Sequence, residues 1–222
     1  MSKNYLAYSL LVFATFCWSG NFIVGKFAYL FEVPPLTLNF YRWVSVWLIL
    51  IPFTYKEIYN NFSYIKKYWI VISFMGVISI STFNSVVYVA LTLTQVINAV
   101  LVLSAIPAVT IIISSMMNVD KTNKFQLIGL LLSVVGIGAI ISNANIQKII
   151  DLSFNKGDLW MLVCVFTWSL YSTLLKKNRF KFSQFTLIQL MVSVGIIFLI
   201  PQFFYERSIG LELNLNKSFF II

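Results

Sequence analysis

The stretch Phe16-Cys17-Trp18-Ser19 recurs, with one replacement, as Phe166-Thr167-Trp168-Ser169, 150 positions later. Each copy lies inside an apolar run that is long enough to cross a lipid bilayer as a helix. A repeated segment at a fixed offset indicates that the chain is built from copies of one unit. The alternative is coincidence between two apolar segments of similar composition.

The composition around these copies is that of a protein dissolved in lipid. Hydrophobic residues make up 59% and charged residues 10% of the 222 residues, and the mean hydropathy is +0.87. Charged residues alone form about a quarter of an ordinary soluble domain. The chain has no histidine, and Cys17 and Cys164 both lie in apolar runs, so we expect neither a metal site nor a disulfide framework.

Seven runs have the length of about 17 to 25 residues that a membrane-spanning helix needs. They lack the alternation of a transmembrane β-barrel, so the predicted fold class is all-α, a polytopic transmembrane helix bundle. The predicted spans cover residues 5–30, 36–55, 68–91, 95–117, 125–142, 158–176 and 185–204. We expect Asp158 to cap the start of the sixth span.

The loops indicate the orientation, because Lys and Arg concentrate on the cytoplasmic side of a membrane. With a cytoplasmic N-terminus, ten basic loop residues lie inside and four outside, which predicts a multi-pass protein of the cell (inner) membrane with its N-terminus in the cytoplasm. The inner set is Lys3, Lys56, Lys66, Lys67, Lys121, Lys124, Lys176, Lys177, Arg179 and Lys181, and the outer set is Lys148, Lys156, Arg207 and Lys217. The formal charge of +9 is therefore scattered over loops, and we expect no nucleic-acid partner.

The repeat extends beyond the tryptophans. Lys26 matches Lys176 at the same offset, and one residue less aligns Leu36-Thr37-Leu38 with Phe185-Thr186-Leu187 and Ile51-Pro52 with Ile200-Pro201. The copies are five spans apart, an odd number, so the second copy enters the membrane from the opposite side. This predicts an inverted repeat, the arrangement that gives a transporter interchangeable inward and outward states around a midplane site.

The chain resembles the drug/metabolite transporter superfamily, specifically its EamA-like members with two repeats of five spans. The motifs that carry the resemblance are Trp18-Ser19-Gly20-Asn21-Phe22, Pro34-Pro35-Leu36-Thr37 with Arg42 beyond it, Tyr88-Val89-Ala90-Leu91, Ser104-Ala105-Ile106-Pro107-Ala108, Gly129 with Gly136, Gly157-Asp158-Leu159 and Trp168-Ser169-Leu170-Tyr171. The resemblance implies a first repeat at 1–142, a loop at 143–157 and a partial second repeat at 158–222.

The sequence departs from the family pattern in two places. Family members commonly carry a glycine-glutamate pair before the fifth span, where this chain offers only Asp120. A second repeat of five spans would also extend past Ile222, and Phe219 to Ile222 resemble the start of an eighth span. We therefore expect a partial or truncated sequence.

Arg42 is the strongest candidate for a substrate contact, because a charge at about 10 Å depth in a span needs a physical reason. Its guanidinium either faces the translocation cavity, where it could bind a substrate carboxylate or carbonyl, or snorkels to the outer headgroups. Asn39 lies one helical turn away, and we expect it to line the same wall. Lys26 and Lys176 are interpreted as snorkelling cations.

Other polar and aromatic residues complete the candidate translocation site. Asn21, Asn84, Tyr88 and Asn98 contribute either substrate contacts or hydrogen bonds between helices. Trp18 and Trp168 lie too deep for an interfacial belt and either line the cavity or pack the core, whereas Trp43, Trp69 and Trp160 are interpreted as interfacial anchors. Pro107 is expected to kink the fourth span, for gating or merely for shape.

These features predict a secondary transporter that exports small polar metabolites and alternates between inverted repeats without a cofactor. No phosphate loop, catalytic triad or acid-base pair indicates an enzyme. The alternatives are a non-transporting membrane scaffold or partner subunit, and an inactive truncated carrier.

Overall fold

The fold was obtained as a computed structural model that describes residues 3–120, 123–141 and 155–213. Within these ranges every regular element is a helix, which confirms the predicted all-α class. The α-helices are α1 (Lys3–Leu30), α2 (Pro35–Asn60), α3 (Phe62–Gly76), α4 (Asn84–Leu93), α5 (Val96–Leu103), α6 (Ile106–Met116), α7 (Lys124–Ile141), α8 (Lys156–Lys177) and α9 (Gln184–Ser208). A π-helical segment, Val77–Phe83, joins α3 to α4.

Six helical stretches in the described part of the chain are long and apolar enough to cross a membrane. They are Tyr5–Leu30, Pro35–Asn60, Phe62–Leu93, Val96–Met116, Lys156–Lys177 and Gln184–Ser208. The predicted fifth span is also helical, as α7, and its apolar part in the residues searched is Lys124–Ser133. Most of the predicted loop 143–157, up to residue 154, and the predicted start of an eighth span lie outside the described residues.

The boundary between the second and third spans differs from the prediction. Helix α2 continues to Asn60, five residues past the predicted end, and α3 begins at Phe62 instead of residue 68. Only Asn61 separates them, and its side chain donates to the Glu57 carbonyl over 2.9 Å. The sequence predicts Lys56 and Glu57 to lie in a loop, but both belong to the last turns of α2.

The third span contains the π-helical segment Val77–Phe83 in its middle, which the sequence did not predict. Polar side chains form hydrogen bonds with backbone carbonyls in and beside this segment. The Ser79 hydroxyl donates to the Met75 carbonyl over 2.6 Å, and the Asn84 amide donates to the Ser79 carbonyl over 2.7 Å. The span therefore remains continuous from Phe62 to Leu93.

The fourth span is interrupted between α5 and α6 at Ser104 and Ala105. Pro107 occupies the second position of α6, where its missing N–H costs little. The Ile106 carbonyl accepts a hydrogen bond from the Ser169 hydroxyl of α8 over 3.1 Å. The break thus lies close to Pro107, where the sequence predicted a kink. The neighbouring helix α8 donates a hydrogen bond to a backbone carbonyl beside the break.

The sixth span begins two residues before its predicted start, and its cap is Asn155. The Asn155 side chain accepts from the Asp158 amide over 2.8 Å, while the Asp158 carboxylate accepts from the Asn155 amide over 3.3 Å. This reciprocal arrangement is a capping box. Asp158 is therefore the third helical residue instead of the cap, and it also accepts from the Thr94 hydroxyl over 2.7 Å.

Two buried clusters hold the helices together. One packs α4 and α5 against α8, with Leu91, Ala99 and Met161 fully buried. The other packs α3 and the π-helical segment against α9, with Met75 and Leu199 at its centre. Helix association in lipid depends on such van der Waals contact, because lipid tails are as apolar as the side chains.

Close approach of α9 to α3 and to the π-helical segment requires glycine at two positions. A Cβ on Gly76 would lie 2.5 Å from the Met191 carbonyl oxygen, and one on Gly195 would lie 2.5 Å from Ile80 Cγ2. Gly129 of α7, which the sequence suggested for close packing, has no atom within 4 Å of such a Cβ among those described.

Replacement of Gly76 by Ala is expected to lower the free energy of unfolding by about 1–3 kcal/mol, because the backbone of α9 must move away. Reversible unfolding in mixed detergent micelles measures the change. Gly129→Ala is the matched control and should stay within about 0.5 kcal/mol of the parent. Equal effects of the two variants would contradict the close contact.

Candidate substrate cavity

A cavity of about 470 Å³ opens between α1, α2, the π-helical segment, α8 and α9. Its volume lies within the range of small-molecule sites in proteins, and its wall is apolar and aromatic with a few polar groups, as such sites usually are. The described residues that line it are Cys17, Trp18, Asn21, Arg42, Trp43, Val46, Ser79, Ile80, Phe83, Asn84, Trp168, Tyr171, Ile188 and Met191.

Arg42 is the polar centre of this wall. Its Nη1 donates to Asn21 Oδ1 and to the Tyr88 hydroxyl, each over 2.5 Å, and its Nη2 donates to Asn84 Oδ1 over 2.5 Å. The Tyr88 hydroxyl in turn donates to Asn21 Oδ1 over 2.8 Å. The guanidinium is thus held from α1 and α4 inside the bundle, so it does not snorkel to the headgroups.

The local sequence explains how these groups meet. Asn84 and Tyr88 are four residues apart on α4 and therefore share one helix face. The side-chain amide nitrogen of Asn84 donates to a carbonyl of the π-helical segment, which directs the side-chain oxygen of Asn84 to Arg42. The π-helical segment also places Ser79 and Phe83 in the cavity wall. Such segments occur frequently at functional sites.

Aromatic rings form the wall beside Arg42. The rings of Trp18 and Trp168, the two tryptophans of the repeated motif, lie 5.4 Å apart. Trp168 also contacts Phe83 at 4.4 Å and Tyr171 at 5.1 Å. Trp43, which the sequence assigned to the membrane interface, instead lines the cavity with its ring 4.9 Å from the Arg42 guanidinium.

The remaining candidates lie elsewhere. Asn39 is fully buried and does not share the cavity wall with Arg42, because its amide donates to the Ser85 hydroxyl over 3.0 Å. The Ser85 hydroxyl in turn donates to Gln202 Oε1 of α9 over 2.5 Å, so these hydrogen bonds join α2 and α4 to α9. Asn98 is half-buried on α5 and is not among the described lining residues, nor is Pro107. Pro107 borders a second groove, on the other face of the Trp18–Trp168 pair.

Several lining residues were not identified from the sequence. Two of them carry a signal in the repeat itself: Tyr171 stands 150 positions after Asn21, and Met191 stands 149 positions after Arg42. The apolar residues Ile80, Phe83 and Ile188 carry none, because many similar side chains face lipid.

Both cations of the repeated motif have protein partners. Lys26 Nζ donates to the carbonyls of Leu91 and Thr94 over 2.7 and 3.0 Å, so it caps the C-terminus of α4. Lys176 Nζ pairs with the Asp120 carboxylate at 2.7 Å. The hydrogen bonds from Lys176 and Ser114 hold the pKa of Asp120 below its ordinary value.

Two glutamates form a second, unpredicted feature at the ends of α2 and α9. Glu206, near the end of α9, accepts the backbone amides of Leu36 and Thr37 at the start of α2 over 2.9 and 2.7 Å. Glu57, near the end of α2, accepts from the Ser183 amide over 2.8 Å at the start of α9. We call these two contacts the glutamate clasps.

The Glu57 clasp has further hydrogen bonds, from the hydroxyls of Ser183 and Thr186, each over 2.5 Å. A carboxylate is well suited to this place, because a helix N-terminus carries free amides and a partial positive charge. The clasps show that α2 and α9 run antiparallel and are tied at both ends. Glu57 and Glu206 are 149 positions apart, the offset that also relates Thr37 to Thr186.

A bundle of apolar helices around a partly polar internal cavity is the architecture of a helical membrane carrier. The chain belongs to the EamA-like transporter family, whose profile matches residues 5–142. Together with its six apolar spans, this membership makes it an integral membrane protein.

Two curated relatives are similar to the chain. An uncharacterized transporter of Archaeoglobus fulgidus is 27% identical over 203 residues, covering 90% of this chain and 66% of the relative. The uncharacterized transporter YyaM of Bacillus subtilis is 30% identical over 100 residues, covering 45% of this chain and 33% of the relative. The chain thus spans about two thirds and one third of their lengths. No solved structure matches it.

Replacement of Lys26 by Met is expected to lower the free energy of unfolding by about 1–2 kcal/mol, because the last carbonyls of α4 lose a charged donor. Thermal unfolding in detergent measures the loss. Lys66→Met, at an exposed position of α3, is the matched control with little expected change. Equal stability of the two variants would show that Lys26 merely snorkels.

Proposed function

We propose that this protein is a secondary transporter that exports small polar metabolites by alternating access between two inverted repeats. It lies in the cell membrane with its N-terminus in the cytoplasm, in agreement with the excess of Lys and Arg in the loops on that side. The observation that carries the proposal is the pair of glutamate clasps.

The clasps have the symmetry that alternating access needs. Each joins the last turn of one helix to the first turn of the other, and the two lie at opposite ends of the antiparallel pair α2 and α9. With a cytoplasmic N-terminus, the Glu57 clasp lies at the inner face and the Glu206 clasp at the outer face. Opening one clasp while the other holds would expose the cavity to one side at a time.

The position of the cavity supports the same cycle. Its lining includes residues that correspond across the repeat offset, such as Trp18 with Trp168 and Asn21 with Tyr171. Corresponding residues of an inverted repeat approach each other only near the axis that relates the copies. The contact between the rings of Trp18 and Trp168 at 5.4 Å therefore favours a cavity at that axis, where carriers of this class bind substrate.

Side-specific labelling of Cys17 tests the proposal. Cys17 lines the cavity and is exposed, whereas Cys164 is buried, so a membrane-impermeant maleimide added on one side of oriented vesicles reports access to the cavity from that side. Glu57→Ala should increase labelling from the cytoplasmic side, and Glu206→Ala should increase it from the opposite side. An increase of about tenfold corresponds to a shift of 1.4 kcal/mol between the two states.

Two controls accompany this experiment. Glu212→Ala removes an exposed glutamate that only pairs with Arg207 at 3.5 Å, and its labelling should equal that of the parent. Cys17→Ser should abolish the signal. If both clasp variants increased labelling from the same side, or neither changed it, alternating access would be refuted and the scaffold alternative would replace it.

A further inference from the structure

We propose that the cavity binds a monoanion: a carboxylate, or a group of the same charge and shape, on an aromatic or branched apolar body. The inference rests on the proposed function in one respect, that the cavity ligand is the transported substrate. Two observations support the inference: Arg42 has no carboxylate partner among the described residues, and the cavity wall around it is aromatic and aliphatic.

Arg42 is a half-buried cation in the cavity wall, and none of its described contacts is with a carboxylate. Its three contacts, with Asn21, Tyr88 and Asn84, are all with neutral oxygens, and none of the described residues that line the cavity is acidic. Glutamates and aspartates that might have served are engaged elsewhere, as described above for Glu57, Asp120, Asp158 and Glu206. A cation in hydrocarbon is costly, and an anion bound beside it would offset much of that cost.

The guanidinium also retains free donors. Of its five N–H groups, two on Nη1 and one on Nη2 are used by the three contacts. The N–H on Nε and the second on Nη2 have no acceptor among the described residues. These nitrogens are neighbours in the planar guanidinium, and neighbouring N–H groups of Arg match the two oxygens of a carboxylate.

The rest of the wall fits the body of such a ligand. Trp18, Phe83 and Trp168 offer aromatic surface, and Ile188 and Met191 offer aliphatic surface. Met191 stands 149 positions after Arg42, so the corresponding position in the second copy carries no charge. A zwitterionic amino acid would bring an ammonium group for which the described wall has no carboxylate, so the site should prefer simple carboxylates to amino acids.

Binding of three probes that share one body tests this inference. Phenylacetate, 2-phenylacetamide and phenethylamine differ in charge but hardly in shape, and isothermal titration calorimetry of the purified full chain in nanodiscs measures their affinities at pH 7. Phenylacetate should bind about tenfold more tightly than the amide, because charge-assisted hydrogen bonds are roughly twice as strong as neutral ones and the carboxylate can form two of them. The amine should bind most weakly.

Variants of Arg42 locate the effect. Arg42→Gln should reduce the affinity for phenylacetate to that for the amide, and Arg42→Lys should keep the preference for the anion at lower affinity, because a lysine is a point charge without a fork. The lysine variant also keeps the test valid if the glutamine variant does not fold. Arg207→Gln, at an exposed position near the end of α9, is the matched control and should bind like the parent.

The outcomes separate this inference from the proposed function. Equal affinity for acid and amide in the parent, or a preference that survives in Arg42→Gln, would overturn the anion site even if the clasp variants showed one-sided access. Conversely, Arg42-dependent binding of phenylacetate without any phenylacetate flux in proteoliposomes would support the site and refute transport of that ligand.

Discussion

The contact on which this architecture depends is a glutamate near the end of one helix bound to the free amides at the start of its antiparallel neighbour. A helix in or near lipid has unpaired amides in its first turn, and water is scarce there to satisfy them. The clasps of Glu57 and Glu206 solve this problem for α9 and α2 with the same residue type at both ends. Once α2 and α9 are tied, α3 must pack against α9 at the distance that only Gly76 and Gly195 permit.

The cavity follows from the same constraint applied to the middle of the bundle. Arg42 lies on α2, and α1 and α4 supply three neutral acceptors to its guanidinium. The π-helical segment before Asn84 contributes to this arrangement, because its carbonyls hold the Asn84 amide and turn its oxygen toward the guanidinium. Polar groups that look isolated in the sequence thus form one connected network, and the space beside it remains open.

Much of this could be predicted from the sequence, and the failures have a common cause. Run length and composition predicted the all-α class and the apolar spans, because those depend on the thickness of the hydrocarbon. Periodicity placed Asn84 and Tyr88 on one face of α4. The snorkelling of Lys26, the interfacial position of Trp43 and the wall shared by Asn39 and Arg42 were wrong, because each depends on which helices become neighbours.

The repeat contained more information than its tryptophans. Glu57 and Glu206 are related by the offset of 149 that aligns Thr37 with Thr186, yet as charged residues at span ends they look like ordinary loop residues. The structure identifies them, because each glutamate binds the start of the helix that carries the other glutamate. Two unrelated charged residues would not form such a reciprocal pair of contacts.

The two glutamate clasps are related by the repeat offset, whereas Arg42 has no charged counterpart among the described residues of the cavity. These two facts have different consequences. Equivalent clasps at the two ends make two states of similar free energy possible, which a carrier needs if it is to open to either side. The ligand contact requires no such equivalence, because one molecule occupies the cavity in both states. A single cation at position 42, opposite a methionine at the related position 191, would then remain beside the ligand whichever clasp is open. In the proposed cycle the clasps would control access to the cavity, and Arg42 would select the charge of the ligand.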